Sequence, residues 1–291
     1  MKADAEGMTS AVAVPKISSA RLIVCYAAIL GTLPYLTLKA SWVTGGGLGL
    51  RDPSFVDSEL MLFANLLTGG MDVVAVVLAL AFTYSWGRRI PAPLVLFPIW
   101  IGTGLLAPIV LNLPVIVTDL AHAHLAGMPL ENWVWAVVYG GFAWQGILLL
   151  TAFVLYARDR WWFVVTGAVR PGTIGVAGVL GIAAALVSAI GHGSWASGSG
   201  GMSARGQDVV VALLGVFAAV ALASVSRGRF WPRLVLVWTG AGVMAGSGAW
   251  GLFSAVGMSS HGIGRVLVLA VQVIGGVLMM TSVLRRLPHA A

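Results

Sequence analysis

The sequence predicts an all-α membrane protein with eight transmembrane helices, arranged as a tandem parallel repeat of two four-helix units. Three observations support this fold class: an apolar composition, eight long apolar segments, and positive charge that alternates from loop to loop. Of the 291 residues, 59% are hydrophobic and 9% are charged, and the mean hydropathy is +0.95. About a quarter of the residues in soluble domains are charged. This chain therefore cannot cover a water-exposed surface.

Each of the eight apolar segments is long enough to cross a bilayer, which takes about 20 helical residues for a hydrocarbon core of roughly 30 Å. In chain order the predicted spans are Leu22–Trp42, Leu60–Tyr84, Pro93–Val117, Trp133–Tyr156, Thr173–Ile190, Val209–Ser226, Leu234–Val256 and Ile263–Leu284. The chain is thereby divided into an N-terminal tail (1–21), a first four-helix repeat (22–157), a linker (158–172), a second four-helix repeat (173–284) and a C-terminal tail (285–291).

The basic residues predict the orientation of the chain. Of seventeen lysines and arginines, thirteen lie in the two tails and in the second, fourth and sixth loops. By the positive-inside rule, both termini are cytoplasmic. Arginine outnumbers lysine, which favours a bacterial cytoplasmic membrane. Contact with anionic lipid explains the net charge of +7, so the bilayer is the expected partner and nucleic acid is not. The sequence names no protein partner.

Landmarks recur in the same order in spans one to four and five to eight, which predicts an internal repeat. The matched segments are 39–46 with 192–199, 87–91 with 228–232, 102–107 with 240–245, and Gln145 with Gln272. Four spans per repeat place both copies the same way round, with an axis along the membrane normal. Ligand sites in such proteins favour the seam between the halves.

Asp72 is the leading candidate for a ligand- or ion-binding residue. It lies half way along the second span, where a charge costs roughly 2.5–3.5 kcal/mol. Asn65, Thr68 and Asp72 share one helix face by their spacing. Asp72 is either a proton- or cation-binding carboxylate or a protonated acid bonded to a neighbouring helix. We expect it to face the protein interior. The repeat places Leu213 opposite Asp72 in the second half.

Gln145 and Gln272 lie in the middle of the fourth and eighth spans. Amides at this depth can donate and accept hydrogen bonds between helices. The repeat leads us to expect that the two side chains meet near the midplane of the seam. They act there either as ligand-binding groups or as contacts that hold the helices together.

The predicted outer loops hold two further groups of polar residues. Asp119, His122 and His124 offer imidazole and carboxylate in a pattern that suits zinc or copper. We expect no closed metal site there, and expect the four histidines of the outer side to be largely solvated: His122, His124, His192 and His261. The turns at the outer ends of spans one and five contain Lys39 with Ser41 and His192 with Ser194. Each turn is either a glycine-rich anion-binding concavity or simply a turn anchored by tryptophan.

The composition and the segment Gly102–Pro108 resemble the uncharacterised multi-pass integral membrane proteins common in actinobacteria. That resemblance implies no functional residues. The tandem four-plus-four layout is also similar to haem A synthase, a family that places haem-ligating histidines in paired spans. The even-numbered spans of this chain contain no histidine. No haem or other cofactor is therefore expected.

These features favour a small permease or membrane-embedded ligand-binding protein with a polar cavity around Asp72 and the seam. Its ligand is a small molecule or an ion. One alternative is a membrane enzyme or metal-binding protein that uses the outer histidines. The other is a membrane subunit of a larger complex. No residue pattern identifies a catalytic group, so an enzymatic activity is the less favoured interpretation.

Overall fold

The computed structural model describes residues 17–122, 128–167, 172–226, 230–257 and 262–287. Within these ranges, eight helices are long and apolar enough to span a membrane, as predicted. In chain order the helices are α1 (Ser19–Val43), α2 (Glu59–Thr83), α3 (Ala92–His122), α4 (Asn132–Arg160), α5 (Trp162–Thr166), α6 (Gly175–Ala196), α7 (Met202–Ala223), α8 (Phe230–Gly257) and α9 (Ile263–Leu284). All except the short α5 are membrane spans. Two 3-10 turns, Pro53–Val56 and Ser85–Arg89, flank α2.

At the outer end, helices α6 and α7 of the second half extend by six or seven residues beyond their predicted spans. α6 continues to Ala196, and α7 begins at Met202. His192 and Asp208 therefore lie inside helices and not in loops. The apolar windows ended early because polar residues and glycines cluster at the helix ends, where they lower the mean hydropathy without stopping the helix. At the outer end of the first half, α1 includes Lys39, as predicted, and ends at Val43, one residue beyond the predicted span.

The loops after α1 and α3 meet at one end of the bundle. Leu50 and Leu130 form an isolated antiparallel bridge, and Arg51 Nε lies 3.2 Å from Glu131 Oε2. We call the end that carries the loops after α1, α3, α6 and α8 the outer end, following the charge prediction. At the opposite end, Arg21 Nη2 lies 2.7 Å from Asp159 Oδ2 and joins the start of α1 to the end of α4.

The two halves share part of their packing pattern. In the first half α1 packs against α2 and α4, and α3 packs against α4; in the second half α6 packs against α7 and α9, and α8 packs against α9. However, α7 packs along α8, whereas α2 meets α3 over a short stretch. Leu213 is 48% exposed, unlike the buried Asp72 that it was predicted to match. The internal duplication stays a prediction.

Helices α3 and α8 form the centre of the seam between the halves through very close backbone contact. A Cβ atom added to Gly104 would lie 1.9 Å from the Gly242 carbonyl oxygen. Just inward of this contact, Trp100 Nε1 donates to the Trp238 carbonyl at 3.1 Å, and Trp238 Nε1 donates to Thr103 Oγ1 at 3.3 Å. Small residues allow such an approach where the surrounding lipid supplies no hydrophobic drive between helices.

The seam contact yields a test with a control on the same helix. We expect Gly104→Ala to destabilise the protein by about 1–3 kcal/mol, because the added methyl group meets backbone that can move only with the whole helix. Gly102→Ala is the control, since, apart from its own stretch of helix, no atom of the described residues lies within 4 Å of the point that its new methyl group would occupy. Thermal unfolding in detergent measures both variants. Equal unfolding temperatures for the two would contradict the proposed packing constraint.

Candidate functional site

A column of polar side chains runs inward from the outer end between α1, α2 and α4. We call it the first polar column; its members are Tyr35, Lys39, Asn65, Thr68, Asp72 and Gln145. Asn65 and Asp72 are buried along one side of α2, so the prediction that Asp72 faces the interior is confirmed. Seven residues separate them, which places Asp72 roughly 10 Å deeper in the membrane.

The outer level of the first polar column holds a half-buried ammonium group. Lys39 Nζ donates to Asn65 Oδ1 at 2.8 Å. It also lies 4.6 Å from the ring centroid of Tyr35 and 4.9 Å from that of Trp42. Cation–π contacts of this kind become stronger when the cation is desolvated. One amide and two aromatic rings therefore replace part of the water that Lys39 loses.

The deep level of the column holds a carboxyl group with one oxygen bonded and one free. Gln145 Nε2 donates to Asp72 Oδ1 at 3.1 Å. Asp72 Oδ2 is buried and has no hydrogen-bond partner among the described residues. Asp72 as a whole is only 5% exposed. Leaving a buried polar atom without a hydrogen-bond partner costs about 1–3 kcal/mol of stability. Binding of a proton or a hydrogen-bond donor at Oδ2 would recover that free energy.

A second polar column lies between α6, α7, α8 and α9. Its members are Ser188, His192, Asp208, Ser247 and Gln272. His192 is 6% exposed. Its Nδ1 lies 2.7 Å from Asp208 Oδ1, and its Nε2 lies 2.7 Å from Gln272 Oε1. The expectation that this histidine is solvated was therefore wrong. The error follows from the early ends given to the fifth and sixth spans, which left both His192 and Asp208 in loops.

Gln272 is the innermost residue of the second polar column and has no exposed surface. Its Oε1 also accepts from Ser188 Oγ at 3.2 Å, and its Nε2 donates to Ser247 Oγ at 3.2 Å. Each seam glutamine therefore bonds within its own half: Gln145 to Asp72, and Gln272 to the histidine and serines. The expected meeting of the two amides does not occur, because each one faces the column of its own half.

Both polar columns end on apolar cores toward the inner end. Below Asp72 and Gln145 lies a cluster that includes Leu78, Phe82 and Leu149. Below Gln272 lies a second cluster that includes Met244 and Met279. The hydrogen-bonding groups of each column therefore extend from the outer end to mid-depth and give way there to close-packed hydrocarbon.

The two serines of the predicted anion-binding turns bond locally. Ser41 Oγ accepts from the Leu48 amide at 3.3 Å, and Ser194 Oγ donates to the Gly191 carbonyl at 2.7 Å. Their basic neighbours, Lys39 and His192, point into the two polar columns. In the described structure, the serines therefore bond within their own turns, whereas the two basic side chains are directed away from the glycine-rich turns.

Asp119 and His122 lie in the last turns of α3. His122 is exposed, and its Nδ1 is 2.7 Å from the Thr118 carbonyl oxygen. Asp119 Oδ2 accepts from the Ser203 amide at 2.9 Å and from Ser203 Oγ at 2.5 Å. His124 and His261 lie outside the described residues. Across the described ranges, no cluster of three or more histidine, cysteine or acidic residues could hold a metal ion.

The geometry gives Asp119 a structural role as a cap supplied by another helix. α7 begins after Gly201, which has no side chain to cap the helix. Asp119 on α3 binds an unpaired amide of the first turn instead, and Asn112 Nδ2 donates to the Ser203 carbonyl at 2.8 Å. A carboxylate also interacts favourably with the helix dipole at this end. The two halves are therefore joined at the outer end as well as at the seam.

The chain matches no known family model, no curated protein and no solved structure. Its class follows from its own architecture. Eight apolar helices of membrane-spanning length define a polytopic membrane protein. Among the described residues, the two polar columns are groups of hydrogen-bonded polar side chains in its interior.

The interhelical cap can be tested by removing the carboxylate. We expect Asp119→Ala to lower stability by about 0.5–2 kcal/mol, the usual effect of losing a helix cap. Asp57→Ala is the matched control, because Asp57 is an exposed acid in an outer loop. Chemical unfolding in detergent, followed by tryptophan fluorescence, provides the measurement. An Asp119→Ala variant as stable as Asp57→Ala would refute the capping role.

Proposed function

We propose that this protein is a small membrane permease that binds a proton at Asp72, within the first polar column. The observation that carries the proposal is the unpartnered Oδ2 atom of a buried carboxyl group at mid-depth. Acidic residues within membrane spans commonly mark proton or ion pathways. The other oxygen is held by Gln145, so the carboxyl group has a fixed orientation and a single free binding position.

A proton suits this position better than a metal cation does. A hard cation needs several oxygen ligands around it, whereas Oδ2 has no hydrogen-bonding atom within reach among the described residues. A proton needs one oxygen only, and binding it removes the buried negative charge.

The arrangement of the column supports access from the outer end. Lys39 and Asn65 lie at the outer level, Tyr35 and Thr68 lie about one turn deeper on α1 and α2, and Asp72 lies at the bottom. The apolar cluster below Asp72 separates it from the inner end. A permease built in this way alternates between the state described here and one in which that apolar cluster opens.

Infrared difference spectroscopy can test proton binding at Asp72. We expect spectra of lipid-reconstituted protein at acidic minus alkaline pH to contain, among the carbonyl bands of the ten Asp and Glu residues, one component band from a carboxylic acid in apolar surroundings. Asp72→Asn should lose this band, because an amide keeps the contact with Gln145 but has no proton to release. Asp57→Asn is the control and should retain it. If the Asp72→Asn spectrum keeps the band, the proposed proton site is wrong.

The permease activity has its own test in vesicles. Proteoliposomes containing a pH-sensitive dye receive an inside-negative potassium diffusion potential. We expect the native protein to acidify the lumen faster than protein-free vesicles do, and Asp72→Asn to return the rate to the protein-free level. Native protein that is no faster than empty vesicles would count against a permease, while the infrared result would still decide whether Asp72 binds a proton.

A further inference from the structure

We infer that His192 is a second proton-binding site. When its proton is released, the Gln272 amide, which accepts a hydrogen bond from His192, rotates and donates one to it instead. The site belongs to the second half and goes beyond the role proposed for Asp72. The inference rests on geometry: both ring nitrogens of a buried histidine lie 2.7 Å from oxygen atoms, one of Asp208 and one of Gln272. Only an imidazolium ring can donate to both.

The other hydrogen bonds of Gln272 indicate which end of its amide group faces His192. Gln272 Oε1 accepts from His192 and from Ser188, so the amide nitrogen of Gln272 points to Ser247. Ser247 uses its own proton to bond the Val243 carbonyl at 2.5 Å. With a protonated His192, every bond in this chain has one donor and one acceptor.

Loss of one proton removes the match of donor and acceptor at one hydrogen bond, the bond between His192 and Gln272. The Nε2 proton is the one that is lost, and it passes to water at the outer end, toward which the site opens beside the 13%-exposed Asp208 side chain. The proton that remains on the ring settles on Nδ1, because a bare Nδ1 would face the Asp208 carboxylate. Nε2 then becomes an acceptor that faces the Oε1 acceptor of Gln272.

Rotation of the Gln272 amide by half a turn resolves the conflict. Its nitrogen then donates to His192 Nε2 and to Ser188 Oγ, and its oxygen takes the position beside Ser247. Ser247 must leave the Val243 carbonyl in order to donate to that oxygen. The proton on His192 thus determines bonds that join α6, α8 and α9, in addition to the Asp208 bond to α7.

Charged groups from the neighbouring helices shape the site. On α7, Asp208 contacts the ring directly, and Arg205 Nε donates to the Ala196 carbonyl at 2.7 Å. On α9, the Arg265 guanidinium lies 4.3 Å from the Trp195 ring, which meets the His192 ring edge-on at 4.7 Å. On α3, Asp119 is engaged by Ser203. Asp208 is therefore the charge in direct contact, and the two arginines flank the outer end of the site.

Nitrogen-15 NMR of lipid-reconstituted protein labelled at histidine rings and glutamine side chains tests the inference. We expect the His192 ring to carry two protons in the acidic sample, at about pH 5, and one, on Nδ1, in the alkaline sample, at about pH 9. The Gln272 side-chain signal should move over the same pH interval. In His122→Gln, the matched control, both changes should persist, because His122 is exposed and distant in the chain.

Two variants make the outcome decisive. In His192→Gln the pH-dependent movement of the Gln272 signal should disappear, and in Asp208→Asn the ring should no longer hold its single proton on Nδ1 preferentially. If His192→Gln fails to fold, magnetisation transfer between the ring and the Gln272 amide identifies the same signals in the native protein. A His192 ring that keeps one protonation state throughout, or a Gln272 signal that ignores the change, overturns the inference.

Discussion

Because hydrocarbon offers no hydrogen-bonding partner, each polar side chain inside the bundle must find its partner on the protein itself. This constraint accounts for the main interior contacts of the molecule. Lys39 reaches Asn65, Asp72 reaches Gln145, and the indole groups of Trp100 and Trp238 reach across the seam. Such bonds contribute on the order of 0.6–2 kcal/mol each in membranes, but leaving their atoms unpaired costs more.

The two polar columns satisfy the constraint to different degrees. In the second column, the acid lies at the outer level beside His192, and the protonated network has a partner for each bond described. In the first column, the acid lies at the deep level, away from the Lys39 ammonium group, and one of its oxygens stays unpaired. The halves therefore combine the same chemical groups, a base, an acid and a glutamine, at different depths.

The helices and the side chains that point inward along one helix could be predicted from the sequence. Apolar composition and length identify the eight spans, and the cost of a charge in hydrocarbon requires Asp72 to face the protein. Contacts between distant helices could not be predicted in this way. Nothing local in the sequence indicates that Gln145 meets Asp72, 73 residues away, or that Asp119 caps a helix in the other half.

The errors at the outer end have a common physical origin. Hydropathy locates the part of a helix that lies in hydrocarbon, but a helix continues into the interface, where polar residues are tolerated. The last turns of α6 and the first turns of α7 are of this kind, and they carry His192 and Asp208. The sequence-based prediction placed these residues in water because it equated the end of the apolar window with the end of the helix.

The seam and the columns together constrain where the molecule can move. Gly104 and Gly242 are in backbone contact, and Asp119 ties α3 to α7 at the outer end, so rotation of one half against the other would break both joints. By contrast, α2 meets α3 over a short stretch only. It also carries Asp72, the residue that we propose binds a proton. A movement coupled to that proton therefore meets least resistance within the first half, as a shift of α2 against α1 and α4, while the seam stays closed.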